Sequence, residues 1–142
     1  MQEQDDREQF LQQAHLAVLA TLGPGHRLHA MPVWYLYEDG MFIILTGRGS
    51  QKHRNIERHQ DVTLVIDRRD LPYYAVMVQG TATIGPTPSP ELRHRMAVRY
   101  LGEERGAAYT ARRLDADSVT IQVRPEKCVE YHGVAGRPLS GI

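Results

Sequence analysis

Apolar and polar positions alternate along this chain in short runs, each closed by turn residues. "AVLATL" (17–22) is aliphatic and β-branched and stops at "GPG", so it reads as a strand followed by a turn. "LHAMPVWYLYE" (28–38) reads as a second strand. Asp39-Gly40 follows it, the dipeptide that a type I′ hairpin turn prefers. "MFIILT" (41–46) runs back almost wholly apolar, as expected of a strand covered on both faces. "VTLVID" (62–67), "YYAVMVQGTATI" (73–84), "SVTIQV" (118–123) and "KCVEYHG" (127–133) complete the strands.

Helical signals fall between these runs. Phe10, Leu11 and Ala14 follow an acidic turn at Asp5 and Asp6, which predicts a short N-terminal helix. A second helix is expected from Ser50 to about His59. Ser89 and Pro90 form a helix start, N-cap then proline, ahead of "ELRHRMAVRYL" with Leu92, Met96 and Tyr100 on one stripe. A further helical piece is expected around 107–112. Consecutive strands with few helical crossovers predict an antiparallel sheet closing into a small barrel, because a parallel sheet needs a helix between almost every strand pair. Side chains fill the interior of so small a barrel, so a large ligand would bind outside it or at a subunit interface.

Length and charge narrow the partners. The 142 residues suit one domain, 1–142, with one core, and "VAGRPLSGI" (134–142) has little to pack, so it is expected to be flexible or to lie on a partner. Lys plus Arg and Asp plus Glu both number 17, so no chain-wide attraction to nucleic acid or to an anionic membrane is expected. The strands are aliphatic rather than studded with basic and aromatic residues, which argues against a single-strand nucleic-acid barrel. The single cysteine, Cys128, suits a reducing compartment, "MQEQDDREQ" is no signal peptide, and no apolar run is long enough for a membrane span. The expectation is a cytoplasmic protein.

Ordinary catalytic sets are missing from the sequence. The seven histidines show no His-Glu-x-x-His spacing, and one cysteine cannot build a zinc site, so no metal is expected. No Gly-x-Ser-x-Gly elbow occurs, and Cys128 lies in a strand-like run. Tyr35, Tyr37 and Tyr73 are candidate proton donors with nothing to choose among them. Hard chemistry in this chain would therefore belong to a cofactor.

Three stretches carry binding potential. "GRGSQKHRN" (47–55) crowds Lys52, His53 and Arg54 at a helix N-terminus, where the macrodipole disfavours cations unless an anion completes the site. With Ser50 as N-cap, Lys52 and Asn55 can point the same way while Ile56 anchors the helix. Free N–H groups, a hydroxyl, a lysine and an amide make a phosphate cradle, although a solvated basic helix has the same residues. In "MPVWY" (31–35), Pro32 marks an edge or bulge and Trp34 falls on the same face. On residue types alone that suits an edge bulge beside a core tryptophan better than a platform for a planar heterocycle. In "VMVQG" (76–80), Gly80 marks a bulge or a close approach, and Gln79 presents an amide to a ligand or to solvent.

Together these residues resemble the pyridoxamine 5′-phosphate oxidase-like split-barrel flavoproteins, and among them the short flavin- or deazaflavin-dependent oxidoreductases. The likeness spans roughly 8–132. Its most specific part is the strand ending at Thr46, the Ser-x-Lys-x-x-Asn run (50, 52, 55) and "DVTLVID". The resemblance implies a six-stranded antiparallel split β-barrel, mainly β, that forms a homodimer with a cofactor in each of two grooves between subunits. It implies FMN, with the deazaflavin F420 as the alternative, and hydride transfer to a small unsaturated or aromatic substrate. Carried over residue by residue, it assigns Lys52, Ser50 and Asn55 to the cofactor phosphate and Thr46 to the strand end beside it. Met31, Pro32, Val33 and Trp34 would lie along the ring, with Gln79 and Gly80 on another strand near the cofactor. Arg48, Arg54, Arg58, Arg68 and Arg69 are candidates for a basic groove that would receive the F420 tail. The chain lacks the longer C-terminal segment of the true oxidase, which argues against vitamin B6 oxidation. A related branch handles haem, so a non-catalytic flavin or haem carrier is the alternative function.

Overall fold

The computed structural model describes residues 2–133, so the expectation for 134–142 lies outside the described residues. The elements are α1 (Gln2–Gln12), β1 (Ala17–Leu22), β2 (Leu28–Val33), β3 (Leu36–Glu38), β4 (Met41–Gly47), α2 (Gln51–Arg58), β5 (Asp61–Arg68), β6 (Tyr74–Gly85), α3 (Pro90–Arg112) and β7 (Ser118–His132). All seven strands join one antiparallel sheet in the order β2-β1-β5-β6-β7-β4-β3. The sheet curls as a split barrel, the fold class expected from the sequence.

Two boundaries differ from the pattern. The run 28–38 is two strands, because β2 pairs with β1 at one edge while β3 pairs with β4 at the other. Trp34 and Tyr35 therefore carry the chain from one edge of the sheet to the other, which is what closes the barrel. Tyr35 leaves the ladder there without losing its hydrogen bonds. Its N–H donates to the Tyr100 hydroxyl at 2.9 Å, and that hydroxyl lies 2.7 Å from the His15 carbonyl and 3.1 Å from that of Tyr35. Conversely, the runs 118–123 and 127–133 are one strand. A bulge opposite Gln79 and Gly80 absorbs Glu126, the one residue between their partners Lys127 and Pro125, so the ladder to β6 continues past it. Gly80 has no substitute here: a Cβ would lie 2.4 Å from the Arg124 carbonyl oxygen.

Alternate residues fill the barrel, among them Leu19, Ile44, Leu64, Val76 and Ile121, all fully buried. α1 stoppers one end with Phe10 and Leu11. Arg99 of α3 caps that helix by donating to the carbonyls of Gln12 and Gln13 at 2.7 and 2.6 Å, a cation placed where the macrodipole favours one. α3 consists of the two pieces expected, parted where Gly102 takes φ 85° and ψ 172°. Ser89 caps its start by accepting the Leu92 N–H.

Candidate functional site

The loop after β4 begins with a tight turn. Ser50 N–H donates to the Gly47 carbonyl at 3.0 Å and Gly49 has φ 79°, the geometry of a type II turn with glycine at its third position. Ser50 is the N-cap of α2, accepting the His53 N–H, and its Oγ is 2.9 Å from Oγ1 of Thr46. Lys52, in the first turn, is half-buried and has no ion-pair partner among the described residues.

Thr46 and Lys52 line a groove of about 580 Å³ together with Pro32, Val33 and Trp34. Residues that are distant in sequence meet there because the 34–35 crossover brings the end of β2 around to the end of β4. Pro32 sits on an edge strand, as expected, but the β1–β2 register runs through it without a bulge. Trp34 is no core residue. It is half-buried and stacked on Tyr100 with centroids 4.9 Å apart and planes 6° apart, with Tyr109 tilted beside it at 5.4 Å.

Several expected members stand elsewhere. Asn55 does not share the groove with Lys52. Its side chain is buried, donating to Thr21 Oγ1 at 3.0 Å and accepting from Gln51 Nε2 at 2.7 Å, so it bolts α2 to β1 beside the buried Ile56. Met31 is exposed and off the groove. Gln79 and Gly80 border a separate groove with Thr63, Glu126 and Lys127. Arg48 is held by Asp117 at 2.8 Å and by Thr87, Arg54 by Gln51, Arg68 by the Pro72 carbonyl and Arg69 by Asp67. None of those four, nor Arg58, lines the groove.

Its basic wall comes instead from α3. Arg93 donates to the Ala116 carbonyl at 2.8 Å, and Arg113 lies 4.5 Å from the ring centroid of Tyr109. The sequence offered a signal for this wall: positions 93 and 97, and again 109 and 113, stand four apart, one pair on either side of Gly102. The same spacing is expected of any amphipathic helix, so it did not single out a ligand wall. With Asp117 already paired to Arg48, the lining is net cationic and suits an anion. The three candidate proton donors are absent from it. Tyr35 and Tyr37 are buried with their hydroxyls given to the Leu11 carbonyl and to Glu8, and burial raises both phenols above the ordinary range. Tyr73 is exposed outside the groove.

An antiparallel split barrel with a cationic groove at its closure defines the class. The chain belongs to the pyridoxamine 5′-phosphate oxidase family, whose model matches residues 4–132. Among solved structures, an F420 reductase superposes with a TM-score of 0.71 at 24% identity, covering 86% of this chain and 94% of its own. A conserved hypothetical protein, Rv2991 from Mycobacterium tuberculosis, gives 0.74 at 23%, covering 90% and 83%. The haem storage protein HutZ from Vibrio cholerae gives 0.67 at 16%, covering 91% and 95%. At these identities the likeness is one of fold. No curated protein matches the sequence. Among the described residues no helix is long and apolar enough to cross a membrane, and no group of side chains could hold a metal ion.

Proposed function

We propose that this chain is a homodimeric oxidoreductase that binds FMN, with F420 as the alternative, and acts on a small unsaturated or aromatic substrate. The observation that carries the reading is the groove itself, where Pro32 to Trp34 and the Thr46–Lys52 corner meet. The residues fit such a group. Lys52 offers a charge to a phosphate, the hydrogen-bonded hydroxyls of Thr46 and Ser50 leave one O–H free to donate, and the edge of β2 with Trp34 offers an apolar flank to a planar ring. The bound cofactor would supply the hydride chemistry. The chain's part is to neutralise the phosphate, orient the ring and keep water out behind the wall of α3. Arg93 and Arg113 on that wall suit a ligand with a further acidic group, which keeps F420 beside FMN.

Self-association is supported by the outer face of the sheet. The registers align Pro32, Val18, Val65, Met77 and Val129 in one row across five strands, on the face away from the core. Pro32 belongs to both this row and the groove, so a second copy on the row would border the groove. Gln79 and Gly80 would then act only from that second copy. A charge at the centre of the row tests this: Met77→Glu should give a monomer by light scattering, and an intact dimer would refute the face.

Purification tests the cofactor. A yellow protein that releases FMN on denaturation supports the first choice, and a colourless protein that binds F420 supports the second. Binding of neither at micromolar concentration would overturn both. Likeness to the haem storage protein supports a carrier as the second reading, and haem binding at micromolar concentration without flavin-linked turnover would establish it.

A further inference from the structure

His53 is the one ionisable side chain buried within the anion corner, and both of its ring nitrogens are engaged. Nδ1 accepts the Gly49 N–H at 2.9 Å, and Nε2 lies 2.9 Å from Glu57 Oε1. An acceptor at Nδ1 fixes the neutral tautomer with the proton on Nε2, which donates to Glu57. The bond to Gly49 matters for the turn. In a type II turn the peptide between the two central residues is flipped relative to type I, and here that peptide is 48–49. Its N–H is the group His53 holds. The imidazole therefore selects the turn from which Thr46, Ser50 and Lys52 are presented.

We propose that neutral His53 is a positioning residue for the anion corner, and that a second proton on its ring releases the 47–50 turn and weakens anion binding. The proposal rests on the phosphate reading above. Protonation would set an N–H against the Gly49 N–H, and the turn must then rearrange. Protonation also takes the His53–Glu57 pair from a net charge of −1 to neutral, which by itself favours an anion, so the loss of affinity comes from the released turn and outweighs that gain. Among the described residues, the 23–27 turn, whose Gly23 lies against Asn55, brings the exposed His26 and Arg27 to the neighbourhood of α2. β1 and β4 contain no ionisable group, and β6 contains only Tyr74 at its far end, where the hydroxyl is given to Glu130. On its own segment the remaining titratable and charged groups are Arg48, held by Asp117, and Lys52, Arg54, Arg58 and His59.

The test pairs two variants. His53→Asn puts an acceptor oxygen where Nδ1 stands, and His53→Leu removes the acceptor at similar bulk. The Gly49 amide is followed by 1H–15N spectroscopy from pH 5 to 8 without ligand, and FMN affinity is followed by fluorescence over the same range. In the wild type the Gly49 resonance should move with His53 protonation, and FMN should bind about tenfold more weakly in the protonated form, roughly one hydrogen bond's worth. His53→Leu should bind weakly throughout, and His53→Asn should restore affinity. Any pH dependence left in His53→Asn belongs to the phosphate, whose own second ionisation lies near pH 6. A Gly49 resonance indifferent to pH, or wild-type FMN affinity in His53→Leu, would overturn the proposal. The amide readout needs no cofactor, and Lys52→Ala serves as the reference. If that variant also binds FMN normally, the phosphate reading has failed rather than the role of His53 in the turn.

Discussion

Asn55 and Thr21 form a buried hydrogen bond of 3.0 Å between α2 and β1. This bond sets the height of α2 over the barrel, and so where Lys52 enters the groove. Removing the amide leaves the Thr21 hydroxyl buried without that partner. Asn55→Ala is expected to cost about 1–3 kcal/mol, read from the urea midpoint, and a double variant with Thr21→Val should lose less than the sum of the two single changes.

Lys52→Ala separates binding from folding. The side chain is half-buried and unpaired among the described residues, so its loss should change stability by no more than about 0.5 kcal/mol. FMN affinity should fall by about 10- to 100-fold, the worth of a charge-assisted hydrogen bond, while riboflavin, which lacks the phosphate, should bind as before. Equal losses for both ligands would place the phosphate elsewhere.

Gly80→Ala should be far more costly than its size suggests. Its Cβ would overlap the Arg124 carbonyl at 2.4 Å, and a backbone atom cannot swing aside as a side chain can. About 1–3 kcal/mol of stability should be lost, with a matching drop in melting temperature.

Trp34 is the chain's single tryptophan and it lines the groove, so its fluorescence reports on that groove alone. Binding of FMN should quench its emission in proportion to occupancy. Tyr100→Phe keeps the stacked ring but takes the partner from the Tyr35 N–H, and should lower stability by about 1–3 kcal/mol. Unchanged emission at saturating FMN would exclude the ring from the Trp34 flank.

Alkaline pH should unfold the protein steeply. Burial raises the phenols of Tyr35, Tyr37 and Tyr74 above their ordinary value of 10.0, so above that pH the unfolded chain ionises them while the folded chain does not. Stability is complete below pH 10 and falls beyond it by up to about 1.4 kcal/mol per pH unit for each group. Tyr37→Phe should reduce the slope of stability against pH by about one group's share. An unaltered slope would mean that Tyr37 ionises freely in the fold.

Much of this molecule was legible in the order of its residues. Alternation of period two fixed which faces of the strands are buried, because a one-residue slip would expose the whole core set. Ser50 and Ser89 marked the helix starts, since an N–H at each first turn needs a side-chain acceptor. Gly80 marked a place where no side chain fits. The caps are local constraints, satisfied within a few residues of where they are written, whereas the carbonyl that crowds Gly80 belongs to Arg124 on β7.

Tertiary structure decided the rest. The sequence pattern joined 28–38 into one strand, because nothing local states that Tyr100, 65 residues away, will satisfy the backbone of Tyr35. It set Asn55 beside Lys52, because helical spacing permits that and only the buried Thr21 hydroxyl draws the amide inward. It offered arginines near the loop for the basic wall, where the fold ties four of them to nearby acceptors and brings Arg93 and Arg113 from α3 instead. Propensity and patterning act over one or two turns of chain. The groove is made of contacts across the whole barrel, and their partners exist only once it has closed.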